Sequence, residues 1–165
     1  MNVMTATTDL FKEAMASFPS GVTIVTTTDR AGRWWGFTAT SFCAVSMRPP
    51  LVLVCLTESA ECHPVFTKAS KWAINIIHYG YADVAMLFAT RGADKFASDL
   101  FAPSDYGIPV LARATAVLEC DLYSRLSAGD HTILVGQVRS TRLGDEPPAV
   151  YFRRAFHELN DNSTR

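Results

Sequence analysis

Val22-Thr23-Ile24-Val25-Thr26-Thr27-Thr28, then Asp29-Arg30-Ala31-Gly32, then Arg33-Trp34-Trp35-Gly36-Phe37 is the stretch that decides the fold. β-Branched residues fill the first segment and an Asp-to-Gly turn signal follows it, so the third segment pairs back as a hairpin arm. Upstream, Phe11, Ala14, Met15 and Phe18 fall on one face of a helix, capped by Thr8 or Asp9 and ended by Pro19. Downstream, Phe42 to Ser46 reads as a short strand, and Pro49-Pro50 breaks it. Leu51 to Leu56 is a continuous apolar strand expected to be buried on both faces.

Farther out, His63-Pro64 opens a short helix through Ala69, because proline suits a first helical turn. Trp72 to Ile77 is a strand, and Ala82 to Ala89 a helix with Val84, Leu87 and Phe88 on one face. Phe96 to Pro109 reads as loop. Ala114 to Arg125 and His131 to Leu143 form a long hairpin around a turn at Ser127 to Asp130. Val150 to Phe156 is a last strand or short helix. The sum is roughly seven strands with two or three short helices and no βαβ alternation, which favours a mainly β antiparallel barrel with helices on its rim.

The chain has 165 residues, 48% of them hydrophobic and 19% charged, which fits one packed domain. That domain is expected over residues 9–159, between a flexible N-terminus (1–8) and a flexible tail (160–165). A two-domain enzyme does not fit this length. The net charge of −1 excludes a basic field for nucleic acid and a polybasic membrane anchor. The apolar run Leu51–Leu56 is far short of the ~20 residues of a membrane span. With no basic, apolar leader in Met1 to Thr8, a cytoplasmic location is expected. The four cysteines contain no Cys-x-x-Cys pair, so no metal site is expected. Cys43, Cys55 and Cys120 sit among apolar residues and read as buried free thiols.

Gly-x-Gly-x-x-Gly, a Walker-type loop and Gly-x-Ser-x-Gly are all missing, which counts against Rossmann, P-loop and α/β-hydrolase enzymes. Four polar patches remain. Thr38-Ala39-Thr40-Ser41 offers small hydroxyls and turn N–H groups that suit a phosphate or the polar edge of a flat ring, or it is a Thr-rich strand end. Thr57 to Pro64 is an anion cradle or a capping segment with Ser59 or His63 as cap. In Arg91 to Phe96, Lys95 beside Phe96 pairs a phosphate and covers a ring, or it is a solvated loop. Gly129-Asp130-His131-Thr132 places a histidine at a hairpin start, as a ligand contact or a turn residue.

The order of these segments carries a resemblance. Phe18-Pro19-Ser20-Gly21-Val22-Thr23-Ile24-Val25-Thr26, Gly36-Phe37-Thr38-Ala39-Thr40-Ser41-Phe42, Val45-Ser46, Pro49-Pro50-Leu51-Val52, Asn75-Ile76-Ile77, Phe88-Ala89, Asp94-Lys95-Phe96, Gly129-Asp130-His131 and Tyr151-Phe152-Arg153 together resemble the flavin reductase-like family, from about Phe11 to Leu159. The resemblance implies an FMN-binding split β-barrel, a homodimer, and an NAD(P)H-dependent reductase of FMN or FAD. Such a reductase supplies reduced flavin to a separate flavin-dependent monooxygenase.

It further implies flavin contacts at Phe37, Thr38, Ala39, Thr40, Ser41, Cys55, Thr57, Ser59, Lys95 and Phe96. Nicotinamide contacts, for NADH or NADPH, are implied at His131, Tyr151, Phe152 and Arg153. No catalytic acid, base or nucleophile is expected, since hydride transfer is the cofactors' own chemistry and the protein positions the rings. The alternative is a split-barrel protein that stores or senses flavin, or a pyridoxamine-phosphate-oxidase-like relative, without NAD(P)H turnover.

Overall fold

The computed structural model describes residues 7–159, so the expectations for residues 1–6 and 160–165 lie outside the described residues. The elements run α1 (Thr8–Ala16), β1 (Ser20–Gly21), β2 (Thr23–Thr28), β3 (Trp34–Ala39), β4 (Cys43–Met47), β5 (Pro50–Thr57), α2 (His63–Phe66), β6 (Lys71–Ile76), α3 (Ala82–Ala89), β7 (Phe101–Pro103), β8 (Pro109–Leu111), β9 (Ala116–Ala128), β10 (His131–Leu143), β11 (Ala149–Phe152) and β12 (Ala155–Glu158). The cap of α1 is Thr7, one residue before the expected pair, and its hydroxyl accepts from the Leu10 N–H.

Seven strands form one sheet in the order β3-β2-β6-β9-β10-β5-β4. The deciding hairpin forms as read: β2 pairs β3 antiparallel, with Val25 opposite Phe37. Alternation along the strands then sends side chains to two faces. Val25, Phe37, Val54, Trp72, Ile74, Cys120 and Leu134 pack inside the barrel. Ile24, Ala73 and Val117 point outward, where Ala85 and Phe88 of α3 and the β7–β8 hairpin cover them. The sheet's curl brings β3 back to β5: the Ser41 hydroxyl accepts from the Cys55 N–H at 2.9 Å and donates to the Cys55 carbonyl at 3.3 Å. This is the seam of a split barrel.

Two glycines permit the close packing. A Cβ on Gly136 would lie 2.5 Å from the Trp72 ring, and one on Gly36 would lie 2.7 Å from the Phe88 ring.

Several local expectations are corrected. Phe96 to Pro109 is not all loop: β7 and β8 pair with Pro103 opposite Pro109, so each proline bounds a strand. Pro109's carbonyl accepts from the Thr26 hydroxyl, and the Leu111 N–H donates to the buried Asn75 side chain. These long-range contacts have no local signature. The final segment is a hairpin, β11–β12. The long hairpin is fully zipped to Ala128, leaving only Gly129 and Asp130 in its turn. β5 is not buried on both faces, because Leu53 and Cys55 are only half-buried. Cys43 is exposed on the edge strand β4 and Cys55 half-buried, while Cys62 and Cys120 are buried.

Candidate active site

A cleft of about 360 Å³ opens where β3, β5, the end of α3 and the start of β10 meet. Phe37, Leu56 and Phe88 give it apolar walls, and Thr38, Thr57, Ser59, Lys95 and His131 give it polar groups. Its size and mixed lining are those of a small-molecule site.

The fold builds this convergence from β-sheet register. His131 opens β10 directly opposite Thr57 at the end of β5. The Glu58 N–H donates to the Asp130 carbonyl and fixes the two turns together. Beyond Thr57 the chain leaves the sheet, and the Thr57 and Ser59 hydroxyls lie 3.2 Å apart. From the other side, the loop after α3 is tied down by three contacts. Arg91 donates to the Ser59 carbonyl, Gly92 N–H donates to Glu61 at 2.9 Å, and Arg91 pairs with Glu61 at 3.6 Å. Lys95 reaches back across the cleft, its ammonium 3.3 Å from the Gly36 carbonyl.

Few perturbed groups are found here. Burial pushes the Cys62 thiol up, against the opposing pull of the Lys95 charge. The His131 ring holds the Asp130 carboxyl below the usual carboxylate range through a 2.7 Å hydrogen bond. His63 is turned away from the role of cap: its Nε2 lies 2.9 Å from the Thr132 hydroxyl, and α2 is capped by Cys62 without a side-chain bond. Ser59 likewise caps nothing.

The residues singled out from sequence separate into groups. Phe37, Thr38, Cys55, Thr57, Ser59, Lys95 and His131 line the cleft together. Ala39 is buried, and the Ser41 hydroxyl is engaged by the Cys55 backbone. The Thr38 hydroxyl donates to the Ala85 carbonyl at 2.5 Å, so only part of that residue faces the cleft. Phe96 lines a neighbouring cleft. Thr40, Tyr151 and Arg153 gather elsewhere, in a groove under α1 with Phe11 and Met15. Phe152 lies beneath the Arg153 guanidinium. Within the described chain, then, His131 is separated from the other three nicotinamide candidates. Sequence reasoning did not select Phe88 or Glu61. Phe88 was visible as the apolar face of a helix, but Glu61 had no signal separating it from other surface carboxylates.

Among the described residues no three His, Cys, Asp or Glu side chains group as a metal site, and no helix is long and apolar enough to cross a membrane. The cleft's donor set fits a phosphorylated flat molecule. Lys95 and the Thr57 and Ser59 hydroxyls are among its polar groups, and aromatic and aliphatic walls suit a ring system.

A barrel-edge cleft of this kind defines a small-molecule-binding split barrel. The chain belongs to the flavin reductase-like domain family, whose model matches residues 15–160. It is 45% identical over 157 residues to the actinorhodin polyketide dimerase of Streptomyces coelicolor, covering 94% of this chain and 89% of that protein. It is 41% identical over 150 residues to the NADH:riboflavin 5'-phosphate oxidoreductase of Streptomyces pristinaespiralis, covering 89% of this chain and 85% of that one. The structure resembles the Streptomyces globisporus C-1027 NADH:FAD oxidoreductase SgcE6 in complex with NAD and FAD fragments. There the TM-score is 0.91, with 28% identity and 99% of each chain covered.

Proposed function

We propose that this chain is an NAD(P)H-dependent flavin reductase that passes hydride from a reduced nicotinamide to FMN or FAD. The observation that carries the reading is the convergence of Thr57, Ser59, Lys95 and His131 on one apolar-walled cleft, in a chain of the flavin reductase-like family. The hydride chemistry is supplied by the two bound molecules themselves. The chain's residues do the rest. Lys95 and the Thr57 and Ser59 hydroxyls hold the flavin phosphate by charge-assisted hydrogen bonds. Phe37, Leu56 and Phe88 exclude water from one side of the ring. His131, oriented by Asp130, contacts the nicotinamide side.

The cleft is open to solvent, so reduced flavin can leave it and serve a flavin-dependent monooxygenase. The working unit is a homodimer. The reading is supported by apolar surface that the single chain leaves bare: Phe11, Met15 and Phe18 on α1, Val45 and Met47 on β4, and Tyr123 and Leu126 near the tip of β9. A second copy covers such surface and brings its own groups toward the cleft, which also explains why Tyr151 and Arg153 are not beside His131 in one chain.

The test is oxidation of NADH and of NADPH with FMN, FAD and riboflavin in turn, together with the mass of the protein in solution. Flavin-dependent turnover by a dimer is expected. A coloured protein that retains flavin tightly and turns over neither nicotinamide would reject reduction in favour of storage.

A further inference from the structure

A phosphate grip calls for cations, yet a carboxylate lines this cleft too. Among the described residues, the cleft that holds Thr57 and Ser59 is lined by the cations Arg91 and Lys95 and by the carboxylate Glu61. Glu61 and Lys95 also line the neighbouring cleft together. One guanidinium ties Glu61 to the hydroxyl segment: Arg91 donates to the Ser59 carbonyl at 3.2 Å and lies 3.6 Å from the Glu61 carboxylate. Both charges are felt by Cys62, the buried residue that lines both clefts. Burial is the main cause of its raised thiol, Lys95 opposes the rise and Glu61 adds to it.

Holding the loop after α3 does not require this negative charge. The Glu61 carboxylate accepts from the Gly92 N–H at 2.9 Å, a bond that an amide oxygen accepts equally well. The pair with Arg91 is long, and its side chains are 75% and 40% exposed, so solvent screens it. Arg91 is held independently by the Ser59 carbonyl. What the carboxylate adds beyond an amide is therefore charge in the cleft itself. A phosphate monoester carries about −1.5 to −2 near neutral pH, so a carboxylate in the same cleft repels it and offsets part of what Lys95 supplies.

We propose that Glu61 is a specificity-determining residue: its carboxylate holds down the affinity for a flavin phosphate, so that FMN exchanges between turnovers instead of being retained. This role rests on the reading of the cleft as the flavin site. It gives a physical reason why a site with two cations and two hydroxyls releases its flavin. It also opposes Glu61 to Lys95, since loss of the lysine weakens FMN binding and loss of the carboxylate strengthens it.

Dissociation constants for FMN and for riboflavin, which lacks the phosphate, are measured by flavin fluorescence in wild type, Glu61→Gln and Glu61→Asp. Glu61 is exposed, so both variants should fold. Gln keeps an acceptor for Gly92 and drops the charge, whereas Asp keeps the charge. Glu61→Gln is expected to tighten FMN by about threefold or more and to leave riboflavin unchanged. That gain should shrink at about 1 M salt, where the screening length is only about 3 Å. Glu61→Asp should keep the ratio of the two affinities near that of wild type. A loosened loop would instead shift both flavins together and would not respond to salt. FMN affinity unchanged or weakened in Glu61→Gln overturns the role of Glu61. So does a gain shared by riboflavin, a gain that survives high salt, or an equal gain in Glu61→Asp. In each of these cases, binding of both flavins by wild type leaves the flavin reading standing. No binding of either flavin by wild type overturns that reading and the role of Glu61 with it.

Discussion

Two hydroxyl-rich segments lie within one barrel edge, and they do different things. In Thr38 to Ser41 the polar groups face the protein: Thr38 donates to the Ala85 carbonyl, and Ser41 exchanges two hydrogen bonds with the Cys55 backbone. In Thr57 to Ser59 the hydroxyls find only each other, and both residues line the open cleft that Lys95 lines as well. The first segment closes the barrel, and the second is left with hydrogen-bonding capacity for a ligand. Composition does not separate them. What does is whether a backbone donor or acceptor from a distant strand arrives at hydrogen-bond distance.

The comparison can be broken most easily at Lys95. Lys95→Ala should weaken FMN binding by about 1.5–3 kcal/mol, the scale of a charge-assisted hydrogen bond, with little change in thermal stability. An unchanged FMN affinity by fluorescence quenching would remove the lysine from the phosphate site. Ser41→Ala should act the other way round. Leaving the Cys55 N–H without its partner costs about 1–3 kcal/mol of folding stability, read as a lower denaturant midpoint. A loss of flavin affinity with unchanged stability would instead make Ser41 a ligand group.

His131→Ala should raise the KM for the nicotinamide several-fold more than that for the flavin, and the reverse pattern in steady-state kinetics would reject its placement.

The smallest effect belongs to the wall remote from the cleft. Burial and the Asp121 hydrogen bond push the Tyr106 hydroxyl up to about 12. The Tyr106 hydroxyl and then Arg139 hold the Asp121 carboxyl below the usual range. The raised tyrosine contributes stability that is complete below pH ~10 and fades as pH rises through its folded value. The lowered aspartate contributes above its ordinary value near 4 and fades as pH falls. Tyr106→Phe should therefore lower Tm by about 1–4 °C between these limits and leave flavin affinity unaltered. Equal Tm values across that range in thermal melts would show the pair to be neutral.

Much of the barrel was legible because its signals are local. The β-branched run of β2, the Asp29-to-Gly32 turn and the helical spacing of α3 each state their element within ten residues or so. The β7–β8 hairpin was not legible, since two prolines masked it and its anchors, Thr26 and Asn75, come from other strands. The exposed Cys43 was misjudged for a related reason. Its apolar neighbours predict burial, but β4 is the sheet edge, and edge position is a property of topology.

The site shows the same division. Lys95 and His131 stood out by residue type; register brings His131 opposite Thr57, and the loop after α3, tied to Ser59 and Glu61, carries Lys95 to the same cleft. Ser41 was equally conspicuous, yet only the return of β5 reveals that its hydroxyl is occupied.

The central claim is that this barrel edge holds a flavin for reduction by a nicotinamide. Purified protein mixed with NADH should oxidise it slowly alone and many times faster when free FMN or FAD is added, with oxygen as the final acceptor. A rate with added flavin no greater than that of heat-denatured protein, for both NADH and NADPH, would contradict it.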